Sequence, residues 1–304
     1  MKKIPIFLSS DNNYAPYAAA TIASVCDNTR SFVDFYILDS GISEENKTKI
    51  ENLKEKFPNF SVEFVQIDTA KMFSEIEYKN KANYISFATY NRFLIPYIKP
   101  ELEKVIYLDV DLIVNLDVEK LYSTSLDEYD IAAVYDTWYN QWLAERNYKN
   151  CIFESNHCYF NAGVLLIDCQ KWREKNILKK VVETEQKYRN RLRYADQDIL
   201  NLLYNGSNYK MLDKKYNVVN FIDVLNDTEA ILHWAGRVKP WQILPDLKTD
   251  SENRMSRNKE LFWKYAFKTE YYDELAERVV YRDTKSLKMM FMCEVFRSKI
   301  QENI

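Results

Sequence analysis

A chain of 304 residues with 47% hydrophobic and 29% charged residues has enough apolar material for a sizeable core, which excludes a disordered polypeptide. Its 42 basic and 45 acidic residues leave a formal net charge of -3, which gives no support to a nucleic-acid partner. The four glycines, Gly41, Gly163, Gly206 and Gly236, stand too far apart for a GxGxxG fingerprint or a GxxxxGK[ST] phosphate loop.

Any nucleotide must therefore be held another way, and each glycine is expected to mark a backbone position that a Cβ would spoil. The five cysteines (Cys26, Cys151, Cys158, Cys169 and Cys293) are odd in number and form no CxxC pair, so reduced thiols in a cytoplasmic protein are expected. The opening apolar run stops at Leu8, too short for a secretory h-region. No apolar run reaches the length of about 18 residues that a membrane span needs.

In chain order, Ile4–Leu8 reads as a strand closed by the polar cluster Ser9–Asn13. A helix follows from about Ala15 to Val25, with Pro16 in its first turn, where a missing N–H costs little. Phe32–Leu38 is a second strand, Ser43 caps a helix reaching about Phe57, and Phe60–Ile67 is a third strand. That alternation is the rhythm of an α/β fold with an open, mostly parallel sheet.

Ser86–Pro96 reads as a helix and Lys104–Val114 as one buried strand rich in β-branched residues. Strands Ile131–Tyr135 and Tyr159–Ile167 follow, then a charged helix Lys171–Tyr188, a helix from Tyr194 to Leu203 and a last strand at Ile231–Trp234. One catalytic domain over residues 1–245 is expected, followed by a helical, aromatic and basic extension over 246–304. Within that extension Leu287, Met290, Phe291 and Val295 recur at helical spacing beside Lys285, Lys288, Arg297 and Lys299, with Arg278 and Arg282 before them. Such a basic amphipathic helix docks on its own domain, on a second copy in a homo-oligomer, or on the anionic inner face of a plasma membrane.

Two carboxylates interrupt the apolar run at Lys104–Val114. Asp109 and Asp111 stand two positions apart and, in a strand, point to the same side. Together in apolar surroundings they repel, and one tends to protonate. A divalent cation removes the conflict, and an oxygen-rich site suits Mg2+ or Mn2+ carried with a substrate's phosphates.

Ser9–Asn13, the aspartate pair, Asp136, Asn161–Gly163 and His233 all fall at or just beyond strand ends, where open parallel sheets bind ligands. His233, one of two histidines, is expected to complete the cation's shell. Gly236 would let the backbone approach a phosphate, and Lys239 would set a cation on it. Trp138, Tyr139 and Trp142, in a segment read as loop, offer ring faces for an acceptor sugar. His157 is expected at the surface.

Six blocks stand in a fixed order across residues 4–241: Leu8-Ser-Ser-Asp-Asn-Asn-Tyr14-Ala, Ser86-Phe-Ala-Thr-Tyr-Asn-Arg92, Tyr107-Leu-Asp-Val-Asp111, Tyr159-Phe-Asn-Ala-Gly-Val-Leu-Leu166, Asp196-Gln-Asp198 and His233-x-x-Gly236-x-x-Lys239-Pro240. Together they resemble glycosyltransferase family 8, the retaining, metal-dependent hexosyltransferases of GT-A fold that include bacterial lipopolysaccharide galactosyl- and glucosyltransferases and glycogenin. The resemblance implies a UDP-sugar donor and Mn2+ (or Mg2+) on Asp109, Asp111 and His233. It implies Leu8, Ser10, Asp11 and Tyr14 around the uridine and the Val110 backbone near the ribose. Arg92, Asn161, Ala162, Asp196 and Gln197 would meet the donor hexose, and Gly236 and Lys239 the diphosphate. The acceptor would be a glycan, a glycolipid or a glycosylated protein.

Double displacement needs a carboxylate beneath the anomeric carbon, and the resemblance places Gln197, a poor nucleophile, there. Same-face attack is then favoured, with a leaving-phosphate oxygen taking the acceptor's proton. Asp198 keeps a covalent route open, and Asp136 would orient donor or acceptor hydroxyls. Two rivals stand beside this reading. A haloacid-dehalogenase-type phosphatase would carry its DxD near the chain start and a small polar residue where Ile113 stands. A catalytically silent glycan-binding relative would bind neither UDP nor Mn2+.

Overall fold

Alternation of buried side chains along the central strands sends successive residues into two separate cores, one on either face of a sheet. The computed structural model describes residues 3–77, 86–149, 151–204, 208–219, 229–236, 239–242 and 254–282. Its strands are β1 (Lys3–Ser10), β2 (Phe32–Asp39), β3 (Phe60–Gln66), β4 (Lys104–Leu108), β5 (Leu112–Asn115), β6 (Ile131–Tyr135), β7 (Phe160–Asp168), β8 (Lys210–Met211), β9 (Val218–Val219) and β10 (Ala230–His233). Seven form one sheet in the order β3-β2-β1-β4-β7-β6-β8, and three form a smaller sheet, β5-β10-β9. The large sheet is parallel except at β7, which runs against both β4 and β6.

Ile6, Leu8, Ile106, Leu108, Val164 and Leu166 point into the core that holds the helix Ala15–Asn28. Phe7, Val105, Tyr107, Leu165 and Ile167 point into the other, against Phe93, Trp172 and Ile199. Each such fully buried apolar side chain contributes about 1.5–3 kcal/mol relative to exposure. The chain fills one side of β1 with β2 and β3 and then crosses to β4 on the other. The order therefore reverses between β1 and β4, where ligands gather in such sheets.

The run Lys104–Val114 is not one strand. It breaks after Leu108, and β5 leaves for the smaller sheet, with Asp109–Asp111 in the crossing. Helix Ala15–Asn28 holds the second half: Thr21 Oγ1 donates to the Leu112 carbonyl at 2.8 Å, and the Val114 N–H donates to Ser24 Oγ at 2.9 Å. The expected helix Lys171–Tyr188 is two helices, Cys169–Glu174 and Ile177–Tyr188. They part at Asn176, whose φ of +48° is a left-handed turn that a short polar side chain tolerates.

The segment after Asp136 is a helix, Thr137–Glu145, and not a loop, because the Asp136 carboxylate caps it by accepting from the Tyr139 N–H at 2.9 Å. His157 is buried, not superficial, with its ring centroid 4.6 Å from that of Phe153. Beyond residue 245, helices Arg254–Phe267 and Tyr272–Arg282 put Trp263, Tyr265, Ala266 and Tyr272 into the core that also holds β1. Arg278 pairs with Glu274. The amphipathic stretch with Lys285, Leu287, Lys288, Met290, Phe291, Val295, Arg297 and Lys299 lies outside the described residues, as do Gly206, Cys293 and the Arg282 side chain. Cys26, Cys151, Cys158 and Cys169 are free thiols. No helix among the described residues is long and apolar enough to cross a membrane.

Candidate active site

The carboxyl ends of β1, β4 and β6 lie along one edge of the sheet. Because β7 is antiparallel to its neighbours, its opening residues Asn161–Gly163 reach that same edge. A cavity of about 590 Å³ occupies it. Ser10, Asp11, Tyr14, Arg92, Asp109, Val110, Asp111, Asp136, Trp138, Tyr139, Asn161, Ala162, Asp196, Gln197, His233, Gly236 and Lys239 all line it. Leu8, Trp142 and Asp198 do not. Leu8 is wholly buried in β1, and the Trp142 ring meets the guanidinium groups of Arg146 and Arg193, 4.2 and 4.4 Å from its centroid.

Asp109, Asp111 and His233 each offer a ligand atom, and these atoms lie within 4.8 Å of one another. The convergence comes from the break between β4 and β5, not from a shared face of one pleated strand. The Asp109 N–H donates to the Gly163 carbonyl at 2.8 Å, and the Trp234 N–H donates to the Asp111 carbonyl at 3.0 Å. Antiparallel pairing sets His233 opposite Leu112, so its Nε2 stands 3.1 Å from Asp111 Oδ1 and 3.8 Å from Asp109 Oδ2. A Cβ on Gly163 would meet His233 Cε1 at 2.2 Å and Asp109 Oδ2 at 2.8 Å, so only glycine fits behind this trio. Two carboxylates and an imidazole nitrogen at this spacing fit a divalent cation such as Mn2+ or Mg2+.

Burial alone would raise the Asp111 carboxyl. The Lys239 ammonium, paired with Asp111, and His233 together outweigh that and hold it below the usual carboxylate range. Lys239 also donates to the Trp234 carbonyl at 2.7 Å. Trp241, in the turn Pro240–Gln242, stacks on Tyr17 with ring centroids 3.6 Å apart, which pins that turn to helix Ala15–Asn28. Gly236 takes a φ of +108°, and among the described residues, its chain neighbours aside, no atom lies within 4 Å of where its Cβ would be.

Arg92 ties the two halves of the site together. Its Nε lies 3.0 Å from Asp196 Oδ2, one terminal nitrogen donates to the Ala162 carbonyl at 2.6 Å, and the other reaches Asp109 Oδ1 at 3.0 Å. The guanidinium lies 4.3 Å over the Tyr107 ring, and the Tyr107 hydroxyl donates to Asp109 Oδ1 at 2.8 Å. Burial disfavours the Arg92 charge, but Asp196, Tyr107 and Asp109 more than offset it. Burial likewise lifts the Asp196 carboxyl, with Arg92 opposing.

Gln197 accepts from the Ala162 N–H at 2.9 Å and donates to the Tyr159 hydroxyl at 3.1 Å. That hydroxyl donates to Asp198 Oδ1 at 2.6 Å, and Asp198 Oδ2 accepts from the Arg193 and Tyr194 N–H groups at 2.6 and 2.8 Å. Asp198 thus faces the interior, 1% exposed, and closes the start of helix Ala195–Tyr204. Ala195, its first residue, holds a φ of +45°, a left-handed conformation costly for a residue with a Cβ. Burial raises the Asp136 carboxyl against the Tyr139 N–H and the Asn161 amide, which lies 3.4 Å away.

At the other end, Asp11 Oδ1 accepts from the Asn13 and Tyr14 N–H groups at 2.9 and 3.0 Å, and Ser10 Oγ donates to the Asp11 carbonyl at 3.0 Å. Burial, helped by Asp111, pushes the Tyr14 hydroxyl up to about 12. Sequence reasoning missed Asn217, which is 3% exposed and meets both Asn161 and His233 Nδ1. No pattern of residue types around it marks that role. Tyr107 and Tyr159, read as strand residues, also hold site groups through their hydroxyls.

A profile described as Glycosyl transferase family 8 matches residues 5–244. A Haemophilus influenzae protein named as a glycosyltransferase is 39% identical over 216 residues, 70% of this chain, and the chain spans 62% of that relative's length. The lipopolysaccharide 1,3-galactosyltransferase of Salmonella typhimurium is 28% identical, over 79% of this chain and 73% of its own. Among solved structures, the galactosyltransferase LgtC in complex with donor and acceptor sugar analogs is 26% identical. It superposes with a TM-score of 0.74, over 90% of this chain and 100% of its own. On the match across residues 5–244, the chain belongs to glycosyl transferase family 8.

Proposed function

We propose that the chain is a retaining hexosyltransferase that moves galactose or glucose from a UDP-sugar to a glycan, glycolipid or glycosylated protein. The observation that carries this reading is one cavity in which the Asp109–Asp111–His233 trio and Lys239 stand beside Arg92, Asp196 and Gln197. That trio would hold Mn2+ or Mg2+, which would supply positive charge to the departing diphosphate. Lys239 adds a second positive charge, and the left-handed Gly236 lets backbone come close to a phosphate. Ser10, Asp11, Tyr14 and the Val110 backbone would surround the uridine and ribose, with Leu8 behind them as packing.

At the hexose, Arg92 and Asp196 hold each other, and Asp136, Asn161 and Ala162 border the same space. The Gln197 amide is not a nucleophile, and the Asp198 oxygens already accept three hydrogen bonds behind it. This favours same-face attack, in which the acceptor hydroxyl bonds to the anomeric carbon as the phosphate leaves and takes the proton. Half-exposed Trp138 offers its ring to an acceptor sugar at the cavity rim. The same proposal places the protein in the cytoplasm and assigns peripheral membrane contact to residues 285–299.

The test is hydrolysis of UDP-glucose and UDP-galactose with and without Mn2+, on wild type and Asp111→Asn. We expect metal-dependent turnover of one donor and near-complete loss in the variant. An unaffected rate removes the metal assignment, and turnover of phosphate monoesters without a UDP-sugar favours the phosphatase.

A further inference from the structure

The orientation of the His233 ring is decided by a buried amide chain that begins at a backbone group. A backbone N–H can only donate, and that of Gly163 donates to Asn161 Oδ1 at 2.9 Å, which fixes which end of the Asn161 amide carries oxygen. Asn217 approaches the same oxygen at 2.8 Å and must present its Nδ2 there. Its remaining atom, Oδ1, therefore faces His233 Nδ1 at 3.0 Å and can only accept. Asn217 and His233 are both almost wholly buried, so no bulk water competes for these partners.

We infer that Asn217 is a positioning residue for the proposed metal site: it holds the His233 proton on Nδ1 and so leaves the Nε2 lone pair directed at the space between Asp109 and Asp111. Nε2 is the nitrogen that stands 3.1 Å from Asp111. A histidine ligand whose second nitrogen is held this way keeps both its tautomer and its ring angle when an ion arrives. The same Asn217 amide braces Asn161, which borders the donor-hexose space, so one side chain would orient a proposed metal ligand and a group beside the hexose. The inference rests on the metal role proposed above for His233.

The chain has only two histidines, so nitrogen NMR of the 15N-histidine-labelled, metal-free full chain gives two ring systems, told apart by His157→Gln. At mildly alkaline pH the His233 ring is expected to carry its proton on Nδ1. A ring that carries no proton on Nδ1 would overturn the inference, whatever the variants do. Mn2+ affinity is then read by electron paramagnetic resonance. Asn217→Leu should weaken it about 10–100-fold and lose the Nδ1–H signature, while Asn217→Asp, which keeps an acceptor for Nδ1, should recover much of both. Unchanged affinity and an unchanged ring signal in Asn217→Leu would also overturn it. If that variant fails to fold, the wild-type spectrum and Asn217→Asp still decide. His233→Gln is the separate control: if it binds Mn2+ as wild type does, the metal assignment fails, independently of the tautomer.

Discussion

At Gly163 one added carbon would lie 2.2 Å from His233 Cε1 and 2.8 Å from Asp109 Oδ2, inside van der Waals contact with two proposed ligands at once. Gly163→Ala should therefore push those ligands apart and weaken Mn2+ binding more than tenfold, while overpacking costs the fold about 1–3 kcal/mol. A Mn2+ titration of this variant that matches wild type would mean the trio tolerates displacement. Asp109, Asp111, His233 and Lys239 were legible in the sequence because charged or titratable groups beside apolar runs need a partner. Asn217 was not, because its meaning depends on Asn161 and His233, each at least 16 residues away. Nor was the direction of Asp198: in a helix each residue turns by about 100°, which sends it inward while Asp196 and Gln197 line the cavity.

At the scale of elements, the strand rhythm of the first 67 residues was read correctly because each strand is bounded by polar clusters and the second helix carries its own cap. There Ser43 accepts from the Asn46 N–H at 3.3 Å. The break after Leu108 escaped because its cause is tertiary: β5 is claimed by Thr21 and Ser24 and by its antiparallel partner β10. The helix at Thr137–Glu145 escaped because its aromatic residues read as a sugar platform and its cap, Asp136, read as a site residue. The stack of Trp241 on Tyr17 is worth about 0.5–1.5 kcal/mol and anchors the turn that follows Lys239. Trp241→Ala should thus loosen Lys239 and weaken UDP binding by about two- to tenfold, with little change in Mn2+ affinity measured alone. An equal loss of both affinities would show that Trp241 supports the whole cavity and not the lysine.

Across the molecule, side chains from Ser10 to Lys239 meet at one sheet edge, so the site exists only when both cores are formed. Its buried acids make stability depend on pH. Burial raises the folded-state value for Asp198, opposed by its hydrogen bonds. Between its unfolded value of about 3.9 and that raised value the folded state binds more protons, so this group adds stability as pH falls through the window. Relative to Asp198→Asn, the wild-type unfolding free energy should increase on acidification through that range, as read by urea melts at stepped pH. A flat or opposite difference would mean the carboxylate is not held as described.

The proposed chemistry rests on a cation and a diphosphate sharing one pocket, and calorimetry of UDP with and without Mn2+ addresses it most directly. UDP should bind wild type at least about tenfold more tightly with Mn2+ present, and Asp111→Asn should lose that difference. Equal UDP affinity with and without the ion, or a variant that keeps the full difference, would contradict the account.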